Sequence, residues 1–268
     1  MNVFVCIKQV PDSTEVKINP KTGTLIRKGV PSILNPYDHF AVVTALKIKK
    51  NNPDTVINVI SMGPPQAKAV IQLSLALGCD NGYLLSDIAF AGSDTWATSY
   101  SLAKCIKKIG KPDLIICGMQ AIDGDTAQVG PGIASHLDIA QITFCDNVDV
   151  EGRKIIAKKH IDDGYDIIEA QMPVVVTMVM PRDYELPYPS FVSIYKALSK
   201  KVINYCADDI DAKKEFIGLN GSPTQVNRIY PPSKTVNTTF INTTSIEAVE
   251  KIIEIMKNEN FIRRYYGN

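Results

Sequence analysis

Residues 113–139 read Asp-Leu-Ile-Ile-Cys-Gly-Met-Gln-Ala-Ile-Asp-Gly-Asp-Thr-Ala-Gln-Val-Gly-Pro-Gly-Ile-Ala-Ser-His-Leu-Asp-Ile, and this stretch decides the fold class. The apolar run from Leu114 to Cys117 is short enough for a buried strand, and Gly118 ends it. A loop of small and polar residues follows before the apolar spacing of a helix returns. A strand that feeds a helix in this way is typical of the rim of a parallel sheet, where ligands bind.

The loop after this strand has the composition of an anion-binding site. Backbone N–H groups at a helix start, together with the helix dipole, favour an anion there. Three glycines would allow a ligand to approach the backbone closely, namely Gly124, Gly130 and Gly132. No Lys or Arg occurs from 112 to 152, so a phosphate would rest on backbone N–H groups and on the Thr126 hydroxyl.

The start of the helix after this loop has two interpretations. Asp125 and Gln128 have the spacing of a capping box, whereas a helix that begins at Pro131 is the competing boundary. Asp123 and Asp125 would repel a phosphate, so we expect them to take a ribose hydroxyl or local N–H groups. The loop matches neither Gly-x-Gly-x-x-Gly nor a Walker A sequence, and a polar connection that merely contains glycines is the simplest alternative.

Composition restricts the class of protein without naming a ligand. With 268 residues and 45% hydrophobic content, the chain is long enough to bury a sizeable core. Its 29 basic and 28 acidic residues give no overall field that would favour nucleic acid or an anionic membrane. The six cysteines show no Cys-x-x-Cys spacing, so we predict reduced thiols in the cytoplasm and no metal site. No apolar run is long enough for membrane insertion.

Strand and helix patterns alternate through the first half of the chain. The predicted strands are Val3–Ile7, Val56–Ser61, Tyr83–Leu85 and Leu114–Cys117. The predicted helices are Phe40–Ile48, Ala67–Leu77 and Thr95–Ile109. This alternation predicts an α/β fold with a doubly wound, mainly parallel nucleotide-binding sheet. One nucleotide could contact three rims of such a sheet, Cys6–Pro11, Ser61–Pro64 and Gly118–Gly132.

The second half of the chain follows a different pattern. Alternating segments predict an antiparallel extension made of the strands Thr143–Val150, Lys154–His160, Tyr165–Gln171 and Val174–Val179. A short helix near Ile194–Lys200 and a terminal helix at Ser245–Met256 are predicted beyond them. We therefore divide the chain into a nucleotide-binding domain at 1–180, a segment of low periodicity at 181–201 and a long C-terminal arm at 202–268. The family resemblance described below implies that 181–201 is a partner-recognition loop and that the arm contacts the α subunit.

Several segments together resemble the β subunit of an electron-transfer flavoprotein. They are Cys-Ile-Lys-Gln-Val-Pro-Asp at 6–12, Asn-Pro-Tyr-Asp at 35–38, Ser-Met-Gly-Pro at 61–64 and Gly-Met-Gln-Ala-Ile-Asp-Gly-Asp-Thr-Ala-Gln-Val-Gly-Pro at 118–131. A family signature follows around Lys159, Asp162-Asp-Gly and Pro173-Val-Val-Val-Thr. It departs from the family at Asp166, where Glu or Gln is usual, and the substitution keeps the acid.

The resemblance implies which residues contact the cofactor. Carried over position by position, they are Cys6, Asn35, Pro36, Tyr37, Asp38, Ser61, Met62, Gly63, Gln120, Ala121, Ile122, Asp123, Gly124, Asp125, Thr126, Ala127, Gln128, Val129, Gly130 and Pro131. In one branch of the family this pocket holds AMP, and in the electron-bifurcating branch it holds FAD. The sequence of residues 123–131 resembles that of the bifurcating branch. The resemblance therefore implies that the pocket binds FAD, with AMP as the alternative ligand.

The resemblance also implies the reaction and its partners. NADH would reduce the bound flavin, and the electrons would divide between a flavin-dependent dehydrogenase, reached through the α subunit, and ferredoxin or flavodoxin. An acyl-CoA dehydrogenase in anaerobic metabolism would fit this role. Neither a catalytic nucleophile nor an acid–base pair is expected, because the cofactor carries the chemistry.

The segment at 190–201 resembles the loop with which the family recognises its dehydrogenase. Phe191 stands where the family usually has Leu, and Ile194 and Lys196 follow it as further contact residues. Two other classes of protein remain possible on the residues alone. An adenine-nucleotide-binding regulatory module would share the sheet but would not need the arm. An ATP-using ligase or hydrolase would be expected to place basic residues beside the phosphates.

Overall fold

A computed structural model describes residues 1–12, 31–226 and 238–258. The strands and helices are β1 (Asn2–Ile7), β2 (Gln9–Pro11), β3 (Ser32–Leu34), α1 (Pro36–Asn51), β4 (Val56–Met62), α2 (Lys68–Leu77), β5 (Asn81–Leu85), α3 (Thr95–Ile109), β6 (Leu114–Gly118), α4 (Val129–Leu137), β7 (Ala140–Glu151), β8 (Lys154–Ile161), β9 (Gly164–Gln171), β10 (Val174–Met178), α5 (Phe191–Leu198), β11 (Val202–Tyr205) and α6 (Ser245–Asn258). The chain divides into two compact units, 1–229 and 230–268.

In the described part of the first unit, one nine-stranded sheet has the order β11-β5-β4-β1-β6-β10-β7-β8-β9. Every pair from β11 to β7 is parallel, and β7, β8 and β9 pair in antiparallel fashion. The predicted mixed α/β class, with a mainly parallel sheet and an antiparallel extension, is confirmed.

Two hydrophobic layers cover the sheet on its opposite faces. Phe40 and Ala45 of α1 share one layer with Ile71 and Leu75 of α2. Leu102 and Ile106 of α3 form the other layer with Ile133 of α4. Successive residues of β1 alternate between the layers, since Val3 and Val5 belong to the first and Phe4 and Cys6 to the second. The sheet is therefore doubly wound, with helices on both faces.

Two parts of the predicted topology need correction. Val174–Val179 was expected to extend the antiparallel segment, but β10 lies between β6 and β7 and is parallel to both. Its run of three valines is the continuous apolar pattern of a strand buried on both faces. The arm was expected to begin at 202, but Val202–Tyr205 pairs with β5 as an edge strand of the sheet.

Within the described residues, no helix is both long enough and apolar enough to cross a membrane. Of the predicted arm, the structure describes residues 202–226 and 238–258. Residues 227–237 and 259–268 lie outside the described residues.

Candidate nucleotide site

The crevice between β1 and β6 lies at the carboxyl edge of the sheet. These strands are neighbours in parallel register, with Cys6 opposite Cys117. The chain that leaves β1 continues to α1 on one face, and the chain that leaves β6 continues to α4 on the other. This reversal makes a topological switch point, where connections diverge and leave space for a ligand.

Asn35 joins the end of β1 to the loop after β6. This residue is 0% exposed, and its backbone N–H donates to Lys8 O at 3.0 Å. Its side-chain Nδ2 donates to Gln120 O at 2.8 Å, while its Oδ1 accepts from Ile122 N at 3.2 Å. The side chain therefore uses both its donor and its acceptor to position the loop. Pro36 and Tyr37 follow in the first turn of α1.

Asp38 ties together the two strand ends that border the crevice. Its Oδ2 accepts from Lys8 N at 2.8 Å, and its Oδ1 accepts from Gly118 N at 3.1 Å. Burial raises the pKa of Asp38 to about 7, although the backbone N–H groups of Lys8 and Gly118 and the Asn35 side chain act to lower it. Its carboxyl oxygens are thus engaged with the protein's own backbone.

The loop 119–128 has an unusual backbone before α4. Both Gly124 N and Asp125 N donate to Ala121 O, at 3.2 and 2.9 Å, and form a tight turn. Asp125 and Ala127 then adopt φ of 48° and 53°, which is uncommon for residues with a Cβ. Left-handed residues that alternate with right-handed ones direct successive N–H groups into one concavity suited to an anion. Thr126 lies between them and is exposed.

Both interpretations of the α4 start were wrong. The helix begins at Val129, and the Gln128 side chain makes no capping hydrogen bond to it. Instead, Gln128 Oε1 accepts from Thr95 Oγ1 of α3 at 2.9 Å. Asp125 Oδ1 accepts from Gln120 Nε2 at 2.8 Å, so it is held within the loop and does not form a capping box.

The three glycines of the loop have different roles. A Cβ on Gly124 would meet nothing within 4 Å among the described residues, so the space beside this position is open. A Cβ on Gly130 would lie 2.5 Å from Thr177 Cγ2, and one on Gly132 would lie 2.5 Å from Ser99 Oγ. The absence of a side chain at Gly130 and Gly132 therefore allows α4 to pack closely on β10 and α3. The contact of Gly130 with a ligand through its backbone stays a prediction.

A lysine from another rim reaches the loop. Lys8 Nζ lies 2.6 and 2.9 Å from the two carboxylate oxygens of Asp123. The sequence predicted a loop without side-chain cations, because 112–152 contains none, but folding supplies Lys8 from the end of β1. Asp123 therefore forms an ion pair with Lys8. The expected contact of Asp123 with a ribose hydroxyl stays a prediction.

The third rim contributes a buried hydroxyl. Ser61, near the end of β4, is 0% exposed, and its Oγ has no hydrogen-bond partner within the described residues. Met62 and Gly63 continue this rim and are partly exposed. Because an unsatisfied buried hydroxyl is costly, Ser61 is a candidate for bonding a polar ligand atom at this edge.

Two thiols lie beneath the crevice on adjacent strands. Cys6 is 6% exposed and Cys117 is 5% exposed. A side-chain hydrogen bond with Cys6, together with burial, raises the pKa of the Cys117 thiol. Cys117 is therefore held as a neutral thiol, and the pair supplies compact polarisable packing.

An aromatic cluster borders the same loop. Trp96 follows Thr95 in the first turn of α3 and stacks on Tyr100 with ring centroids 5.9 Å apart and planes at 2°. His136 of α4 meets Trp96 edge-on at 5.1 Å. Because Thr95 also bonds Gln128, the cluster lies directly beside the end of the loop.

The predicted partner-binding segment includes the predicted short helix, which begins at Phe191 and not near Ile194. The Ser190 hydroxyl caps α5 by accepting from Ser193 N at 3.2 Å. Phe191 is 91% exposed and Ile194 is 40% exposed, and Lys196 is also exposed. Ala197 is buried and packs α5 onto the molecule. The alternative that Phe191 lies in the core is therefore wrong for the chain alone.

The sheet order and the crevice define a doubly wound α/β protein, a class in which ligands commonly bind at the switch point. Comparison with known proteins then gives the family. The family described as electron transfer flavoprotein domain matches residues 22–183. The chain belongs to this family.

Similar curated proteins cover the chain almost completely. The caffeyl-CoA reductase-Etf complex subunit CarD of Acetobacterium woodii is 46% identical over 98% of this chain and 100% of its own length. The electron transfer flavoprotein subunit beta of Thermoanaerobacterium thermosaccharolyticum is 46% identical over the same shares. Protein FixA of Azorhizobium caulinodans is 39% identical over 97% of this chain and 95% of its own length. These similarities assign the chain to the electron-transferring β subunits.

Proposed function

We propose that this chain is the β subunit of a heterodimeric electron-transfer flavoprotein, and that it binds FAD in the β1–β6 crevice. NADH delivers electrons to this site for flavin-based bifurcation. The observation that carries the proposal is the family match over nearly the whole chain, and the switch-point crevice between β1 and β6 supports it. Bound FAD would supply the hydride acceptance and the division of electrons that side chains cannot perform.

The residues at the crevice fit a nucleotide. The turned backbone of 125–128 and the first N–H groups of α4 would hold phosphate, since the first intrahelical bond from this end is Gly132 N to Gln128 O. Gly124 leaves room for the ligand to approach, and Ser61 offers an unpaired hydroxyl among the described residues. Asn35 and Asp38 position this loop through hydrogen bonds inside the protein.

The α subunit, a dehydrogenase and a low-potential carrier are the proposed partners. The name of the Acetobacterium relative describes a complex with a caffeyl-CoA reductase, which supports a dehydrogenase that acts on CoA thioesters as the partner here. Phe191, Ile194 and Lys196 of α5 would contact this enzyme. Ferredoxin or flavodoxin would take the other electron, and we propose that the complex works in the cytoplasm.

The alternative within the family is an electron carrier whose β subunit holds AMP. AMP has one phosphate, so the backbone concavity at 125–128 would suffice for it without a slot for a flavin ring. The family match disfavours the regulatory module and the ATP-using ligase.

Counting the cofactors of the purified αβ pair tests the proposal. The pair is denatured, and released FAD and AMP are quantified per heterodimer. Two FAD molecules, together with bleaching of the flavin spectrum on anaerobic addition of NADH, are expected. One FAD and one AMP per heterodimer would establish the carrier instead, and a pair without flavin would exclude both forms.

A further inference from the structure

Lys8 occupies a central position in the crevice. It is the first residue after β1, and its backbone is fixed on both sides, since its N–H donates to Asp38 and its carbonyl accepts from Asn35. From this anchored position its side chain crosses to Asp123, 115 residues further along the chain, and contacts both carboxylate oxygens. The ion pair therefore bridges the two strand ends that border the site.

The charges around this ion pair matter because the loop is acidic. Asp125 bonds the neutral Gln120 amide, so its charge is not cancelled by that contact. Asp123 has a side chain that is 17% exposed and would add a second negative charge without Lys8. A carboxylate several ångströms from a phosphate weakens phosphate binding. Because the Lys8 side chain is 47% exposed, salt should screen this repulsion.

We propose that the Lys8–Asp123 ion pair sets the affinity of the crevice for anionic ligands. Lys8 neutralises the carboxylate that would otherwise repel phosphate, and it does so from the opposite side of the crevice. This role rests on the proposed nucleotide-binding function. In it, Lys8 and Asp123 together set the net charge beside the bound ligand. Because Lys8 is positive and Asp123 is negative, removal of either charge should change anion affinity in opposite directions. A purely structural contact between the strand ends would not have this effect.

A charge cycle on the full-length chain tests this role. The variants are Lys8→Met, Asp123→Asn and the double variant, each close in size to the residue it replaces. Calorimetric titration with ADP and with neutral adenosine gives the affinities at low and high salt. Lys8→Met should weaken ADP binding about tenfold and Asp123→Asn should strengthen it about tenfold, while the double variant returns close to the wild-type affinity.

Comparison with neutral adenosine, and of low with high salt, distinguishes an electrostatic effect on binding from a change in the shape of the site. The affinity for adenosine should be the same in all four proteins, and both ADP effects should shrink as salt rises. The matched control is Lys49→Met, which breaks the ion pair of Lys49 with Asp80 at the opposite edge of the sheet, where Nζ lies 2.5 Å from Oδ1. This control should leave ADP affinity unchanged.

Three results would overturn the proposal. If both single variants weaken ADP and adenosine alike, the ion pair serves only to hold the strand ends together. If neither variant changes ADP affinity, the pair has no part in binding. If the folded wild-type chain, checked by circular dichroism, binds neither ligand, then the proposed nucleotide function fails as well.

Discussion

The crevice and the exposed helices of this chain are opposite kinds of surface. At the crevice, the buried side chains of Asn35 and Asp38 bond backbone groups of the strand ends and of the loop after β6. On α5 and α6, large apolar side chains point outward, with Phe191 91% exposed and Ile246 76% exposed. The first surface is polar and is held by hydrogen bonds within the chain, whereas the second exposes apolar area that another protein could bury. Changes at the first should therefore affect folding and ligand, and changes at the second should affect association.

Removal of residues 227–268 should have the largest effect on association. Truncation after Val226 keeps Ser222 and Thr224, which bond Asp94 at the start of α3, but deletes α6. The described part of α6 exposes an apolar set consisting of Ile246, Val249, Ile252, Ile253, Ile255 and Met256. Heterodimer formation should be lost on size exclusion while the truncated chain remains folded. The control is Glu250→Gln, and an intact dimer after truncation would place the interface elsewhere.

Gly118→Val should be the most damaging point substitution in the crevice. A Cβ at this position would lie 2.3 Å from Asp38 Oδ1 and 2.7 Å from the Tyr37 carbonyl carbon. The first turn of α1 would have to move, which should reduce the free energy of unfolding by about 3 kcal/mol in urea. Gly124→Val is the control, because that Cβ meets no described atom within 4 Å. It should retain stability but bind nucleotide less well, and equal destabilisation of both variants would contradict this difference.

Phe191→Ala should weaken the association with the proposed dehydrogenase partner without affecting folding. Truncation of an apolar anchor at an interface costs about 2 kcal/mol, so the apparent KM for the dehydrogenase should rise about thirtyfold. Thermal stability and flavin content should not change, because the side chain is 91% exposed. Ile88→Ala is a matched control, since Ile88 is 89% exposed on a different segment. Loss of flavin in Phe191→Ala would show that the residue supports the cofactor site.

The stability of the crevice should depend on pH through Asp38. Burial raises its pKa from 3.8 to about 7, so the folded state retains the proton at pH values where the unfolded state has lost it. Its contribution is therefore complete below pH 3.8 and is lost as the pH rises toward about 7, with a slope of at most about 1.4 kcal/mol per pH unit. Chemical denaturation at several pH values should show this decline in wild type but not in Asp38→Asn. Identical slopes would show that Asp38 does not titrate in this range.

Thr126→Val should have the smallest effect. Thr126 is exposed between two left-handed residues, so the loss of its hydroxyl should leave stability unchanged and weaken nucleotide retention by about 1 kcal/mol. Thr126→Ser keeps the hydroxyl and should retain the wild-type affinity in calorimetry. Full retention in Thr126→Val would mean that the backbone N–H groups alone hold the ligand.

The elements that could be predicted from the sequence are those set by the local pattern of apolar and capping residues. Thr95–Ile109 was predicted with its observed bounds, because its apolar spacing begins after Asp94, which caps the helix, and ends at Gly110. The position of β10 could not be read in the same way, since a short valine run fits a parallel or an antiparallel neighbour equally well. Phe191–Leu198 was predicted to start later, because prolines precede it and Ser190 was not considered as a cap.

The candidate site was predicted as three rims but not as a network. Asn35 and Asp38 were chosen as ligand contacts, whereas the structure shows them bonded to Gln120, Ile122, Lys8 and Gly118. The ion pair of Lys8 with Asp123 was missed, since only the folded sheet brings these positions together. Gly130 and Gly132 were interpreted as openings because their spacing does not reveal which helix packs against them.

The stack of Trp96 on Tyr100 gives the protein a built-in optical probe. The chain contains one tryptophan, and its neighbour Thr95 bonds Gln128 at the end of the crevice loop. Indole emission overlaps the near-ultraviolet absorption of oxidised flavin, so a flavin bound at the crevice would quench it by resonance energy transfer. AMP absorbs at shorter wavelength and would leave that emission bright. The fluorescence lifetime of the isolated chain can therefore report which nucleotide has entered, without any label.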